Sequence, residues 1–175
     1  MNQTAAQQLV FAMLDADGDG IVSREEYLAR TTNVARAMGL DQDDPAVVTA
    51  RTLGERAWES MDADGDGRLA FDQYAAWAGA EAFDTVCAPV LGALFDLADT
   101  DHDGALGLAE FTALRTALNN PAANAEAAFT ALDADGDGRV GRDDYIASIR
   151  AHVTGDGSPM GSALYSAAGA ERLPA

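Results

Sequence analysis

Basic residues are scarce in this chain of 175 residues, in which 11 arginines and no lysine stand against 29 aspartates and glutamates. The formal net charge at pH 7 is therefore −18. Nucleic acids and anionic membranes bind proteins through basic surfaces, so this balance argues against both as partners. Hydrophobic residues nevertheless make up 48% of the chain, too many for a disordered acidic segment. We expect a folded protein whose negative charge is offset by bound metal cations.

Cysteine, histidine and long apolar runs are also rare. The single cysteine, Cys87, cannot form a disulfide within the chain, which is typical of a reducing compartment and predicts a cytoplasmic protein. No apolar run reaches the length of a membrane span, and residues 9–14 are too short a run for a signal peptide. We expect His102 and His152 to face solvent and Cys87 to be packed in the core. Without a candidate pair of nucleophile and base, we do not expect an enzyme.

The acidic residues are concentrated in a repeated motif, Asp-x-Asp-x-Asp-Gly, whose copies start at Asp15, Asp62, Asp99 and Asp133. The four twelve-residue windows that begin there contain 18 of the 29 acids. A merely solvated acidic surface would not need aspartate at positions 1, 3 and 5 of every window, with glycine at position 6. This spacing is typical of a tight loop that coordinates a hard cation through oxygen, and Ca²⁺ is the first choice.

The first and third windows contain a full set of Ca²⁺ ligands. In such a loop the side chains at positions 1, 3 and 5 converge on the ion, the carbonyl at position 7 points inward, and a long carboxylate at position 12 supplies two oxygens. The predicted ligands are Asp15, Asp17, Asp19, Ile21 and Glu26 in the first loop, and Asp99, Asp101, Asp103, Ala105 and Glu110 in the third. We expect both loops to bind Ca²⁺ well.

The second and fourth windows depart from this pattern at position 12. Their ligand positions are Asp62, Asp64, Asp66, Arg68 and Gln73 in the second, and Asp133, Asp135, Asp137, Arg139 and Asp144 in the fourth. Gln73 offers one neutral oxygen, so we expect the second site to be weak or empty. Asp144 is one methylene shorter than glutamate, which favours the smaller Mg²⁺. The sequence thus predicts about three Ca²⁺ ions, a weak fourth site, and Mg²⁺ competing mainly at the fourth loop.

Helices are expected on both sides of each loop. An aromatic residue precedes each first aspartate by four positions and a residue of the apolar set Leu14, Met61, Ala98 and Leu132 precedes it by one, so both face the same side of the helix that enters the loop. Another aromatic residue occupies position 13 of each window, at the start of the exiting helix. The rings before the loops are Phe11, Trp58, Phe95 and Phe129, and those after them are Tyr27, Tyr74, Phe111 and Tyr145. Position 8 is apolar in all four windows, as a short β-bridge between paired loops requires. We interpret these residues as core and not as ligands.

Helix, loop, ligand spacing and glycine together resemble the EF-hand superfamily. The steps of 47, 37 and 34 residues between loop starts are most similar to the sarcoplasmic calcium-binding proteins and bacterial calerythrin, over nearly the whole chain. This resemblance implies an all-α, compact fold of four EF-hands in two pairs, with a short β-bridge between paired loops. It implies an N-terminal pair in residues 1–85, a C-terminal pair in residues 86–152, and a tail, residues 153–175, that is either packed on the core or disordered.

Local signals place several helix ends. Residues 23–38 and 45–61 are periodic enough for helices, and the second begins with a good cap and a proline. Pro89 is expected to break or start the helix that leads into the third loop. Residues 119–121, Asn-Asn-Pro, are expected to separate the third hand from the fourth. Residues 163–165 resemble the C-terminal segment that the relatives tuck against the core.

Two functions remain for such a protein. One is an intracellular buffer or transporter of Ca²⁺, and the other is a switch that exposes an apolar groove to a protein partner. A switch is well served by flexible methionines near the helix ends, but the five methionines here do not cluster there. The sequence therefore favours a monomeric buffer in which Ca²⁺ or Mg²⁺ binding is coupled to folding, because metal relieves the repulsion between loop carboxylates. A regulatory role, with a protein target that the sequence does not indicate, stays the alternative.

Overall fold

The computed structural model describes residues 3–120 and 124–155, and most of them are helical. The helices are α1 (Gln3–Leu14), α2 (Arg24–Ala37), α3 (Pro45–Met61), α4 (Phe71–Trp77), α5 (Ala80–Ala98), α6 (Leu108–Ala117), α7 (Ala125–Leu132) and α8 (Arg142–Thr154). The strands are β1 (Ile21–Ser23), β2 (Arg68–Ala70), β3 (Ala105–Leu106) and β4 (Val140–Gly141). Each strand lies at the end of an acidic loop and leads into the following helix.

The strands join the loops in two pairs. β1 is antiparallel to β2, with Val22 opposite Leu69, and β3 is antiparallel to β4, with Leu106 opposite Val140. These four side chains are the position-8 residues, and at most 1% of any of them is exposed. The prediction of four helix-loop-helix hands in two pairs, each bridged by a short β-ladder, is therefore confirmed.

The aromatic rings on either side of the loops are exchanged between the two hands of a pair. The ring before one loop packs against the ring after the partner loop, with centroids 5.5–5.8 Å apart. These contacts are Phe11 with Tyr74, Trp58 with Tyr27, Phe95 with Tyr145, and Phe129 with Phe111. Edge-to-face and tilted contacts of this kind contribute about 0.5–1.5 kcal/mol beyond simple burial. All eight rings are buried, as the interpretation of these residues as core predicts.

The two pairs of hands share one hydrophobic core. Helix α5 packs on α3 and α2, α1 packs on α8, and α2 also contacts α6. One cluster of buried side chains runs through all four hands. Helix α5 passes through position 85, where the sequence suggests a boundary between units of residues 1–85 and 86–152, and that division stays a prediction.

The predicted helix ends agree with the structure in most places. Helix α3 begins at Pro45, and the carboxylate of Asp44 accepts a hydrogen bond from the N–H of Ala46 at 2.8 Å. Asn119, just after α6, has a φ of +61° that stops the helix. Pro89 lies in the first turn of the α-helical stretch Ala88–Ala98, but the chain is already helical from Ala80. A π-helical turn at Phe83–Cys87 connects Ala80–Ala82 to Ala88–Ala98, so Pro89 does not interrupt helix α5.

The expectation that His152 faces solvent is wrong. Its side chain is buried between helices, whereas His102 is exposed on its loop. Cys87 is half-buried. Within the described ranges no single helix is long and apolar enough to cross a membrane, although Phe71–Trp77 and Ala80–Ala98, bent by 83°, reach that length and composition together. The segment 163–165 lies outside the described residues.

Candidate metal centres

Carboxylates converge in each of the four acidic loops. In every loop, three acidic residues offer oxygens that all lie within 4.8 Å of one another. The groups are Asp15, Asp17 and Asp19; Asp62, Asp64 and Asp66; Asp99, Asp101 and Glu110; and Asp133, Asp135 and Asp137. Three like charges this close repel strongly in the absence of a cation, and their hard oxygens suit Ca²⁺.

In each of the four loops, the same backbone hydrogen bond holds the position-1 aspartate in place. The N–H of the position-6 glycine donates to Oδ2 of the position-1 aspartate at 2.9–3.0 Å. The glycines are Gly20, Gly67, Gly104 and Gly138, with φ between +78° and +88°. This left-handed conformation is favourable for glycine and costly for other residues, which explains the motif. The N–H of each position-7 residue (Ile21, Arg68, Ala105 and Arg139) likewise donates to the position-5 aspartate.

Glu26 and Glu110 close their loops from position 12. Oε1 of Glu26 accepts hydrogen bonds from the N–H groups of Ala16 and Asp17, and Oε2 accepts from the N–H and hydroxyl of Ser23 at 2.7–2.8 Å. Glu110 accepts equivalent bonds from Thr100 and from the N–H of Gly107. Burial raises the pKa of both carboxyls, but the hydrogen bonds that each carboxyl accepts, of which those from Ser23 and Thr100 are the strongest, together outweigh it and bring each pKa below its usual value. Both groups are therefore held as carboxylates.

Gln73 occupies the corresponding position of the second loop in a different way. Its Oε1 accepts from the N–H of Ala70 at 2.8 Å, and its Nε2 donates to Oδ2 of Asp64 at 3.1 Å. The amide thus presents a donor, not an oxygen, to one of the carboxylates that would bind metal. This geometry fits the expectation of a weak second site.

Asp144 does not reach into the fourth loop as Glu26 and Glu110 reach into the first and third loops. It is exposed and, unlike Glu26 and Glu110, does not complete a capping box with the backbone N–H of its position-9 partner, Gly141. The difference of one methylene is therefore visible in the structure. A cation in this loop would need Asp144 or the loop to move inward.

The third and fourth loops are connected by an ion pair between Arg139 and Asp103. In the third loop Glu110 joins the converging group, while the carboxylate of Asp103 lies against this guanidinium. Sequence reasoning assigns only the carbonyl of Arg139 to the site and misses its side chain. The available signal is that loops two and four both carry arginine at position 7. Arg68 is the first residue of β2, and Arg139 directly precedes β4.

Known proteins match both the repeat and the fold. A family model described as an EF-hand domain pair matches residues 89–150, and one described as an EF hand matches residues 7–29. Calerythrin from Saccharopolyspora erythraea is 26% identical over 151 residues, covering 80% of this chain and 85% of that protein. The probable calcium-binding protein CML16 from Oryza sativa subsp. japonica is 30% identical over 138 residues, covering 78% of this chain and 72% of that protein.

A solved structure of a Streptomyces coelicolor calcium-binding protein, described in terms of prokaryotic calcium-mediated regulation, superposes with a TM-score of 0.73. It is 26% identical, and the match covers 87% of this chain and 98% of that one. With its four paired loops, the chain belongs to the EF-hand superfamily of calcium-binding proteins. It is similar to calerythrin in sequence and to the Streptomyces protein in fold.

Proposed function

We propose that this protein is an intracellular Ca²⁺ buffer or carrier. The observation that carries the proposal is the combination of converged loops with a closed core. Ligand carboxylates lie together in all four loops, while the apolar side chains of the hands remain buried in one cluster. Among the described residues, the large hydrophobic side chains that are exposed are Val48 on α3 and Leu108 on α6. A switch exposes an apolar groove when its loops bind Ca²⁺.

The position-12 residues support a capacity of about three Ca²⁺ ions with a weak fourth site. The carboxylates of Glu26 and Glu110 close the first and third loops. The amide of Gln73 donates a hydrogen bond to Asp64 in the second loop, and the exposed Asp144 does not close the fourth. A smaller ion is the better fit to a ligand sphere that lacks one long carboxylate, so Mg²⁺ competes best at the fourth loop. Such mixed occupancy is useful to a buffer that must release one ion to take up another.

Metal binding is coupled to folding in this proposal. The clustered carboxylates destabilise the folded chain until a cation neutralises them, and the unfolded chain lacks the converged loops. A ligand that binds only the folded state stabilises it by about 2.7 kcal/mol per site when its free concentration is a hundredfold above Kd. We expect the chelated protein to be expanded and loosely packed.

The test combines near-UV circular dichroism with the fluorescence of an apolar dye. Chelation should reduce the near-UV signal, because the exchanged ring pairs lose their fixed packing. Adding Ca²⁺ to the Mg²⁺-loaded protein should leave the fluorescence of 8-anilinonaphthalene-1-sulfonate unchanged or lower it. A near-UV signal that does not change when chelator is added would contradict the coupling of metal binding to folding. A rise in dye fluorescence with an intact fold would contradict the proposal that the protein is a buffer.

Ca²⁺-dependent regulation is the second candidate function. The similarity to the Streptomyces coelicolor protein, which is described in terms of calcium-mediated regulation, favours it. On this alternative, Ca²⁺ separates the helices and exposes part of the shared core to a helix of another protein. The dye experiment distinguishes the two functions, because only the regulator gains apolar surface when Ca²⁺ replaces Mg²⁺.

A further inference from the structure

An apolar cavity of about 130 Å³ lies between the two pairs of hands. It is lined from both pairs, by side chains of α1, α2, α5, α6 and α8 among others. Aromatic rings form much of its wall, including those of Tyr27, Trp77, Phe83 and Tyr145. A cavity of about 150 Å³ with apolar walls accommodates benzene, so this one has room for a single aromatic ring. None of the predicted metal ligands lines it.

Arg30 brings a positive charge to the wall of this cavity. Its guanidinium lies over the ring of Tyr27, 5.3 Å from the centroid, and the residue is half-buried. Within the described part of the chain no carboxylate forms an ion pair with Arg30, and no aspartate or glutamate lines the cavity. Arg115 also lines the cavity, so two arginines and no described carboxylate belong to its wall.

The neighbouring thiol does not supply the missing negative charge. Cys87 also lines the cavity, and burial raises the pKa of its thiol to about 11 even though Arg30 acts in the opposite direction. The thiol therefore stays neutral at physiological pH. The cavity thus combines an apolar space of one ring with a cation at its wall, which is the usual composition of a small-molecule site.

We propose that the cavity binds a one-ring aryl carboxylate, with the ring between the two pairs of hands and the carboxylate on the guanidinium of Arg30. The planar fork of arginine matches a carboxylate with two parallel hydrogen bonds, and these are stronger where water is partly excluded. The ring gains apolar contacts with side chains that would otherwise face an unfilled space. This activity is separate from Ca²⁺ binding, because the loops contribute no lining residue.

The two tryptophans of the chain provide a site-specific measurement. Trp77 lines the cavity, whereas Trp58 does not line it but packs on the wall residue Tyr27 and donates from Nε1 to Oδ2 of Asp62 at 3.1 Å. The full-length, Ca²⁺-saturated protein labelled with ¹⁵N is titrated with benzoate and, separately, with the neutral isostere benzamide. Benzoate should shift the indole N–H resonance of Trp77 more strongly than that of Trp58. Benzamide should bind about tenfold more weakly, because it forms no charge-assisted pair.

Matched variants test the role of Arg30. Arg30→Gln should weaken benzoate binding about tenfold and change benzamide binding less than twofold. Arg36→Gln removes the same charge from the same helix at an exposed position that does not line the cavity, and it should leave both affinities unchanged. Far-UV circular dichroism and Ca²⁺ binding confirm that each variant is folded.

Three results would overturn the proposal. One is a Trp77 resonance that benzoate does not move, which is also the result expected if another segment of this chain already fills the cavity. Another is equal binding of benzoate and benzamide. The third is an equal effect of Arg30→Gln and Arg36→Gln on benzoate, which would reduce the role of Arg30 to general electrostatics.

Discussion

The side chain of Arg139, at position 7 of the fourth loop, is ion-paired with the carboxylate of Asp103, at position 5 of the third loop. A cation of the protein itself therefore lies against a carboxylate that Ca²⁺ would use. The pair is partly exposed, with 51% of the Arg139 side chain and 27% of the Asp103 side chain accessible, so water screens it. We therefore expect the Ca²⁺ occupancy of the third loop to depend on an arginine of the fourth.

Replacing Arg139 by glutamine should raise the Ca²⁺ affinity of the third loop. Glutamine removes a charge that both competes for Asp103 and repels the ion, and we expect a gain of roughly three- to fivefold for a partly screened pair. The N–H of Gly104, which donates to Asp99 in that loop, reports site-specific binding in a ¹H–¹⁵N spectrum. Arg150→Gln is the control, because Arg150 pairs with Asp84 and both residues lie outside the four loops. An affinity that both variants change equally would contradict this coupling.

Changing Gln73 to glutamate should create a strong site in the second loop. The new carboxylate would replace the amide that now donates to Asp64, and it would supply two oxygens from position 12. The reverse changes, Glu26→Gln and Glu110→Gln, should each remove one strong site. Isothermal titration calorimetry counts the sites, and the glycine amides at position 6 show which loop has changed. Stoichiometries identical to that of the parent protein would refute this assignment.

Lengthening Asp144 to glutamate should shift the fourth loop toward Ca²⁺. The extra methylene lets the carboxylate accept a hydrogen bond from the N–H of Gly141, as Glu26 and Glu110 do from their position-9 partners. We expect Ca²⁺ affinity to rise about tenfold and the Mg²⁺ concentration needed to displace Ca²⁺ to rise with it. The measurement is a Ca²⁺ titration of the Gly138 amide at several Mg²⁺ concentrations. Competition by Mg²⁺ as effective as in the parent protein would show that side-chain length does not set the preference.

The burial of His152 predicts a loss of stability in acid. Burial lowers the pKa of His152 below its usual value of 6.5, so the unfolded state takes up this proton at a pH where the folded state does not. Above about pH 7 the titration of His152 should therefore not change the free energy of unfolding. Below pH 6.5 that free energy should fall progressively as the pH is lowered. Urea unfolding between pH 5 and pH 8, with Ca²⁺ saturating, measures the slope.

The variant His152→Gln should flatten that slope, because glutamine has no proton to gain. His102→Asn removes the exposed histidine at a position where φ is +59°, which asparagine tolerates, and should leave the slope unchanged. A slope that survives in His152→Gln, or that disappears in His102→Asn, would assign the acid sensitivity to other groups.

Local rules predict the loops and their flanks well, because each depends on a few residues close in the chain. The position-6 glycines, the rings at fixed offsets and the cap at Asp44 all lie where spacing predicts them. The pairing of Arg139 with Asp103 could not be predicted in this way, since it depends on the register between two strands 34 residues apart. The burial of His152 likewise depends on how α8 packs on α1, and the π turn at Phe83–Cys87 depends on how α5 meets α3.

The aromatic contacts between the two hands of each pair also limit how this protein can be divided or recombined. In each hand, both aromatic rings that flank the loop pack against rings of the paired hand. A single hand removed from the chain would therefore expose its rings to solvent and leave a cavity in the core of the remaining protein. A hand grafted alone into another protein would meet the same mismatch. The smallest part that could be transplanted with its ring contacts complete is a pair of hands, and chimaeras joined between the first and second loops should be insoluble even when every metal ligand is preserved.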